Sequence, residues 1–96
     1  MLNLSEDTMK LSKQFGHYMA EIRLPIGRHG VAITGWGETE VWAYHRALMQ
    51  LRTVQHALYE VDQHDCMDAV RECDATISAA LDDARERALV DAKASA

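Results

Sequence analysis

Along residues 31–48, Val-Ala-Ile-Thr-Gly-Trp-Gly-Glu-Thr-Glu-Val-Trp-Ala-Tyr-His-Arg-Ala-Leu, the apolar spacing switches from two to about 3.6. A stretch with that switch is a strand that turns through Gly35-Trp36-Gly37 into a helix. It requires a mixed α+β fold and excludes a plain helical bundle. Val31 and Ile33 share one face of the strand. Thr39 is placed to cap the helix, with Glu40 in its first turn where the helix dipole favours negative charge.

The pattern upstream supplies a partner strand. Tyr18, Ala20, Ile22 and Leu24 alternate with Met19, Glu21 and Arg23, and Pro25 to Gly30 forms a turn-rich loop. Residues 18–36 are therefore expected to form an antiparallel hairpin. Two strands alone are marginal in water, so helices must cover the apolar face. Ahead of the hairpin, Ser5 can cap a short helix with Leu4, Thr8, Leu11 and Phe15 on one face. Gly16 would end it in the left-handed conformation; an extended arm is the alternative.

Downstream, Val41, Tyr44, Leu48, Leu51, Val54 or Gln55, Leu58 and Val61 recur at helical spacing, which predicts an amphipathic helix over about 40–62. Asp62-Gln63-His64-Asp65 is the expected break. A last helix follows over 66–92, with Val70, Ile77 and Ala84 at heptad spacing and Cys73, Ala80 or Leu81, and Ala88 between them. Its C-terminal Ala-Lys-Ala-Ser-Ala is expected to fray. The expected architecture is α+β, with a short N-terminal helix, an antiparallel β-hairpin and two long antiparallel helices.

Ninety-six residues, 48% of them hydrophobic, suit one domain spanning 1–96. The apolar runs fall well short of the ~20 residues of a membrane span, and the N-terminus lacks the pattern of a signal peptide. A cytoplasmic location is expected. The formal net charge is −5, and residues 63–96 carry eight acidic and four basic groups. An acidic C-terminal third disfavours direct nucleic-acid binding, which rests on neutralising phosphates. It suits a basic protein surface, and it also suits a solvated face that keeps the chain soluble.

No catalytic constellation stands out. The five histidines are scattered, without His-Glu-x-x-His or Cys-x-x-Cys, and the serines lack a His and Asp pattern. His64, Cys66 and Asp68 point in different directions around a helix, whereas zinc needs ligands that converge. Cys66 and Cys73 are seven apart, beyond disulfide reach along a helix, and read as small buried hydrophobes. His45 and His56 lie on nearly one helix face. Neither glycine-rich turn has the Lys-Ser/Thr of a phosphate loop or the three-glycine dinucleotide fingerprint. The expectation is a non-enzymatic chain without cofactor or metal.

Residues Gly35, Gly37, Thr39, Ala43 and Ala47 sit in a strand–turn–helix segment that resembles the hairpin-helix unit of HicB-type antitoxins. The resemblance covers residues 18–58. The family's third strand is not evident in the sequence, and one long acidic helix stands where its DNA-binding module would be. The resemblance implies protein binding more than DNA binding. By size and charge the chain is also similar to small phage-encoded inhibitors such as anti-CRISPR proteins.

The function expected from these features is a small acidic module that binds a protein, inhibiting a host protein or nucleoprotein complex. The alternative is a HicB-like antitoxin or transcription-linked regulator. Trp42, off the main helix stripe, is either an interface anchor or a core residue, and Trp36 is expected mainly in the core. Asp82 and Asp83 are expected on the exposed acidic face, and Arg28 and His29 on the hairpin loop form a second candidate contact. A homodimer through the hairpin edge is also expected.

Overall fold

The computed structural model describes residues 9–61 and 66–95. Three strands come first: β1 (Met9–Gln14), β2 (His17–Leu24) and β3 (Val31–Gly37). Two helices follow, α1 (Glu40–Glu60) and α2 (Met67–Ser95). The strands form one antiparallel sheet in the order β1-β2-β3, and the chain is α+β overall.

The expected N-terminal helix is overturned. Residues 9–14 are a strand, with Met9 opposite Ile22, Leu11 opposite Ala20 and Lys13 opposite Tyr18. The apolar spacing that suggested a helix was coincidental, because Leu11 faces the core while Phe15 stands in a turn. Phe15 and Gly16 both have positive φ, 53° and 78°, as the two central residues of a type I′ hairpin turn require. Gly16 is left-handed as expected, but it closes a hairpin rather than a helix. The proposed Ser5 cap lies outside the described residues.

The hairpin of β2 and β3 forms with Ile22 opposite Ile33 and Ala20 opposite Gly35. Ala20, Ile22, Leu24 and Ile33 are fully buried on the face toward the helices. They meet Ala43, Tyr44, Ala47, Leu48 and Leu51 of α1, and Val70, Cys73, Ile77, Leu81 and Ala84 of α2. The helix α1 lies over β3 and β2, and α2 lies beside it over β2. Leu81 rather than Ala80 takes the buried position, and Ala88 is exposed.

The contact between β3 and α1 is unusually close. A Cβ on Gly35 would collide with the Ala43 carbonyl and the Ala47 amide nitrogen. Small residues on both elements are thus a steric requirement. Thr39 caps α1 as expected, its Oγ1 accepting from the Trp42 amide at 3.2 Å. The expected break at Asp62–Asp65 lies outside the described residues, between the end of α1 and the start of α2. The helix α2 continues to Ser95, past the expected end at 92.

Candidate functional site: an aromatic end of the molecule

The turn joining β1 to β2, the end of β3 and the start of α1 all meet at one end of the sheet. Three large aromatic side chains reach solvent there: Phe15 is 98% exposed, Trp42 51% and Trp36 44%. Each is placed by a local constraint. Trp36 follows Ile33 and Gly35 in the strand alternation, so its side chain points to the face away from the helices, opposite Met19. This corrects the expectation of a core Trp36. Trp42 lies in the first turn of α1, held where β3 and the helix are tightly packed. A Cβ on Gly37 would come within 2.7 Å of the Ala43 nitrogen.

His17, Trp36, Gly37, Glu38, Trp42 and Arg46 line a shallow cleft of about 320 Å3. Arg46 organises it. Its Nη1 donates to the Trp36 carbonyl at 2.9 Å, and its guanidinium carbon lies 5.5 Å from the Trp42 ring centroid, within cation–π range. The Trp42 ring also meets His45 edge-on, with centroids 5.7 Å apart. On the other side of Glu38, a second groove runs between Tyr18 and Val41 and the α2 residues Ala84 and Ala88. Arg87 of α2 closes on Glu40 at 2.7 Å, which fixes the start of α1 against α2. Beyond Ala84 none of the described side chains of α2 is buried, and Leu89 and Val90 are exposed.

The residues singled out from sequence do not form one surface. Trp42 belongs to the aromatic end and is half exposed. Arg28 and His29 sit on the exposed β2–β3 loop at the opposite end of the sheet, where the His29 carbonyl accepts from Arg23 at 2.7 Å. Asp82 and Asp83 are exposed on α2, with Asp82 3.9 Å from Arg85. Phe15 and Arg46 were not singled out. The signal for Phe15 was a Phe-Gly pair between two alternating runs, which reads as a two-residue hairpin.

The titratable groups with displaced pKa values are structural. Burial pushes the Tyr44 hydroxyl above its ordinary value, and the Glu40 charge adds to this. Burial likewise raises the Cys73 thiol, with Glu72 adding. Cys73 is buried and Cys66 half-buried. His56 lies 3.1 Å from Glu60 on the same helix, away from His45. Among the described residues no three His, Cys, Asp or Glu side chains gather as a metal set; His64 lies outside them. No helix among the described residues is long and apolar enough to cross a membrane.

The chain matches no protein-family model, no curated protein and no solved structure.

Proposed function

We propose that this chain is a non-enzymatic protein-binding module that inhibits its partner by covering it, with the aromatic end as the contact. The observation that carries this reading is Phe15. A bulky residue at positive φ costs roughly 1–2 kcal/mol of backbone energy, and this one recovers nothing by packing, being 98% exposed. Strain held at an unburied side chain, beyond what the turn needs from a smaller residue, supports a contact role. Trp36 and Trp42 at the same end of the sheet add rigid apolar area of the kind that concentrates binding energy.

Charge supplies the second part of the reading. Met9–Gly37 carries four basic groups and one acidic group, whereas α2 carries seven acidic and four basic. The projecting end of α2 brings Asp91 to the groove beside the aromatic end. A partner with an apolar pocket bordered by basic groups, such as a protein's nucleic-acid-binding surface, would match both features.

Affinity capture from the native host with the wild type and with Trp36→Ala and Trp42→Ala variants tests the reading. Each truncation should weaken retention of the captured protein by about thirtyfold, the equivalent of a ~2 kcal/mol hot spot. Capture of one protein, equally retained by all three forms, would remove the aromatic end from the interface. Capture of a toxin would select the HicB-like antitoxin reading instead.

A further inference from the structure

The two edges of the sheet differ in what their backbone groups meet. At β3 the Thr34 amide donates to Gln50 Oε1 at 2.7 Å, and the Trp36 carbonyl accepts from Arg46 at 2.9 Å. Side chains of α1 thus occupy that edge. The same bonds fix the phase of the whole antiparallel ladder. Thr34 and Trp36 turn their backbone outward, so Ile33, Gly35 and Gly37 exchange bonds with Ile22, Ala20 and Tyr18. The intervening β2 residues His17, Met19 and Glu21 then turn to Gln14, Ser12 and Lys10. Met9, Leu11 and Lys13 are left with amide and carbonyl groups directed away from the sheet.

We propose that this β1 edge, whose outward groups meet no hydrogen-bond partner among the described residues, is the seam of a symmetric homodimer. In it β1 pairs antiparallel with β1 of a second copy, Leu11 opposite Leu11 and Met9 opposite Lys13. The register follows from the phase. Only outward-directed residues can exchange bonds across the seam, and the Leu11-centred register alone engages all three on both strands. It also keeps like side chains on like faces. Lys10 falls opposite Ser12 on the outer face, and Lys13 falls beside Met9 on the helix-facing side, so no lysine opposes a lysine.

Lysines commonly guard free strand edges. A register centred on Lys13 would set the two Lys13 side chains against each other, and the Leu11-centred one avoids that clash. The apolar surface agrees. Met9 and Leu11 are only partly buried at the border of the core, and α2 packs over β2 rather than over β1. The seam would bring both leucines together between the two α2 helices. Because α1 side chains occupy the Thr34 amide and the Trp36 carbonyl of β3 in each copy, growth of the six-stranded sheet beyond two chains is opposed.

This proposal does not depend on the aromatic end. It is tested by sedimentation equilibrium of the full chain at micromolar and submillimolar concentrations. The expected mass is twice the 10.8 kDa chain. Leu11→Pro removes an outward amide that an edge strand does not use internally, and should give a folded single chain with an unchanged circular dichroism spectrum. Should that variant unfold, Ser12→Lys decides. It places a new charge opposite Lys10 twice per seam and should raise the dimer dissociation constant about tenfold at low salt, an effect reduced by high salt. A wild type that sediments as one chain throughout overturns the proposal. So does a dimer that survives Leu11→Pro with the fold intact, or Ser12→Lys unchanged.

Discussion

At one edge of the sheet, β3 is pressed so closely under α1 that Gly35 has no room for a methyl group, and Gln50 and Arg46 hold the Thr34 amide and the Trp36 carbonyl. At the other edge, β1 is joined to the sheet through an exposed two-residue turn and carries lysines. The comparison shows that a single helix can both build a core and close a sheet. Alanine at 43 and 47 lets α1 approach, and polar residues at 46 and 50 reach past the strand to its backbone. Closure at β3 costs the chain any freedom of sequence there, whereas β1 keeps that freedom.

The largest expected effect comes from breaking the closed side. Gly35→Ala would drive a methyl into the α1 backbone, and overpacking of that kind costs about 3 kcal/mol. Urea denaturation should show it as a lower midpoint. The matched change on the open side, Gly16→Ala, meets no neighbouring atom and should cost about 1 kcal/mol through its positive φ alone. Equal losses at the two glycines would mean that α1 does not hold β3 as described.

Phe15→Gly sharpens the comparison from the turn itself. Relief of the left-handed backbone should stabilise the fold by about 1 kcal/mol while weakening partner binding. A gain in stability with full binding would remove Phe15 from the contact. Gln50→Ala opens the closed edge without touching the core. The Thr34 amide then passes to water, at a cost of about 1 kcal/mol or less, again read from the denaturation midpoint.

The smallest effect concerns the core that both edges share, and it depends on pH. Burial raises the Cys73 thiol above its ordinary 9.0 and the Tyr44 hydroxyl above its ordinary 10.0. Both groups ionise first in the unfolded chain. The stability these two groups contribute should therefore be full below pH 9, decline as pH rises past 9, and decline further past 10. Cys73→Ser should remove the first decline and leave the second, measured by thermal melts across that range.

The part of the fold legible in the sequence was the part with a strong period. Residues 18–58 carried clear alternation followed by helical spacing, and β2, β3 and α1 appear there with their ends displaced by one or two residues. The same residues that gave the HicB resemblance, Gly35, Gly37, Ala43 and Ala47, are those the close strand–helix contact demands. They report packing and are silent on the partner. The segment 9–14 was misread because six residues satisfy a helical and an alternating pattern almost equally. The Phe15-Gly16 turn resolves the ambiguity, but a left-handed Gly16 suits a helix end as well as a hairpin.

The candidate site was less legible, and for a different reason. Trp42 was recognised as lying off the helix stripe, but alternation from Ile33 already put Trp36 on the opposite, helix-free face. Phe15 shows the limit most clearly. Nothing in local pattern separates an aromatic residue at a turn that packs from one that does not, since the difference lies in where β3 and α1 end in space.

The claim that β3 is closed while β1 is available can be tested by amide hydrogen exchange, followed residue by residue at high and low protein concentration. The Thr34 amide should be protected equally at both concentrations, because its bond to Gln50 lies within one chain. The Leu11 amide should be protected at high concentration and exchange freely after dilution. Rapid exchange at Thr34 under all conditions, or concentration-independent protection at Leu11, would contradict the account.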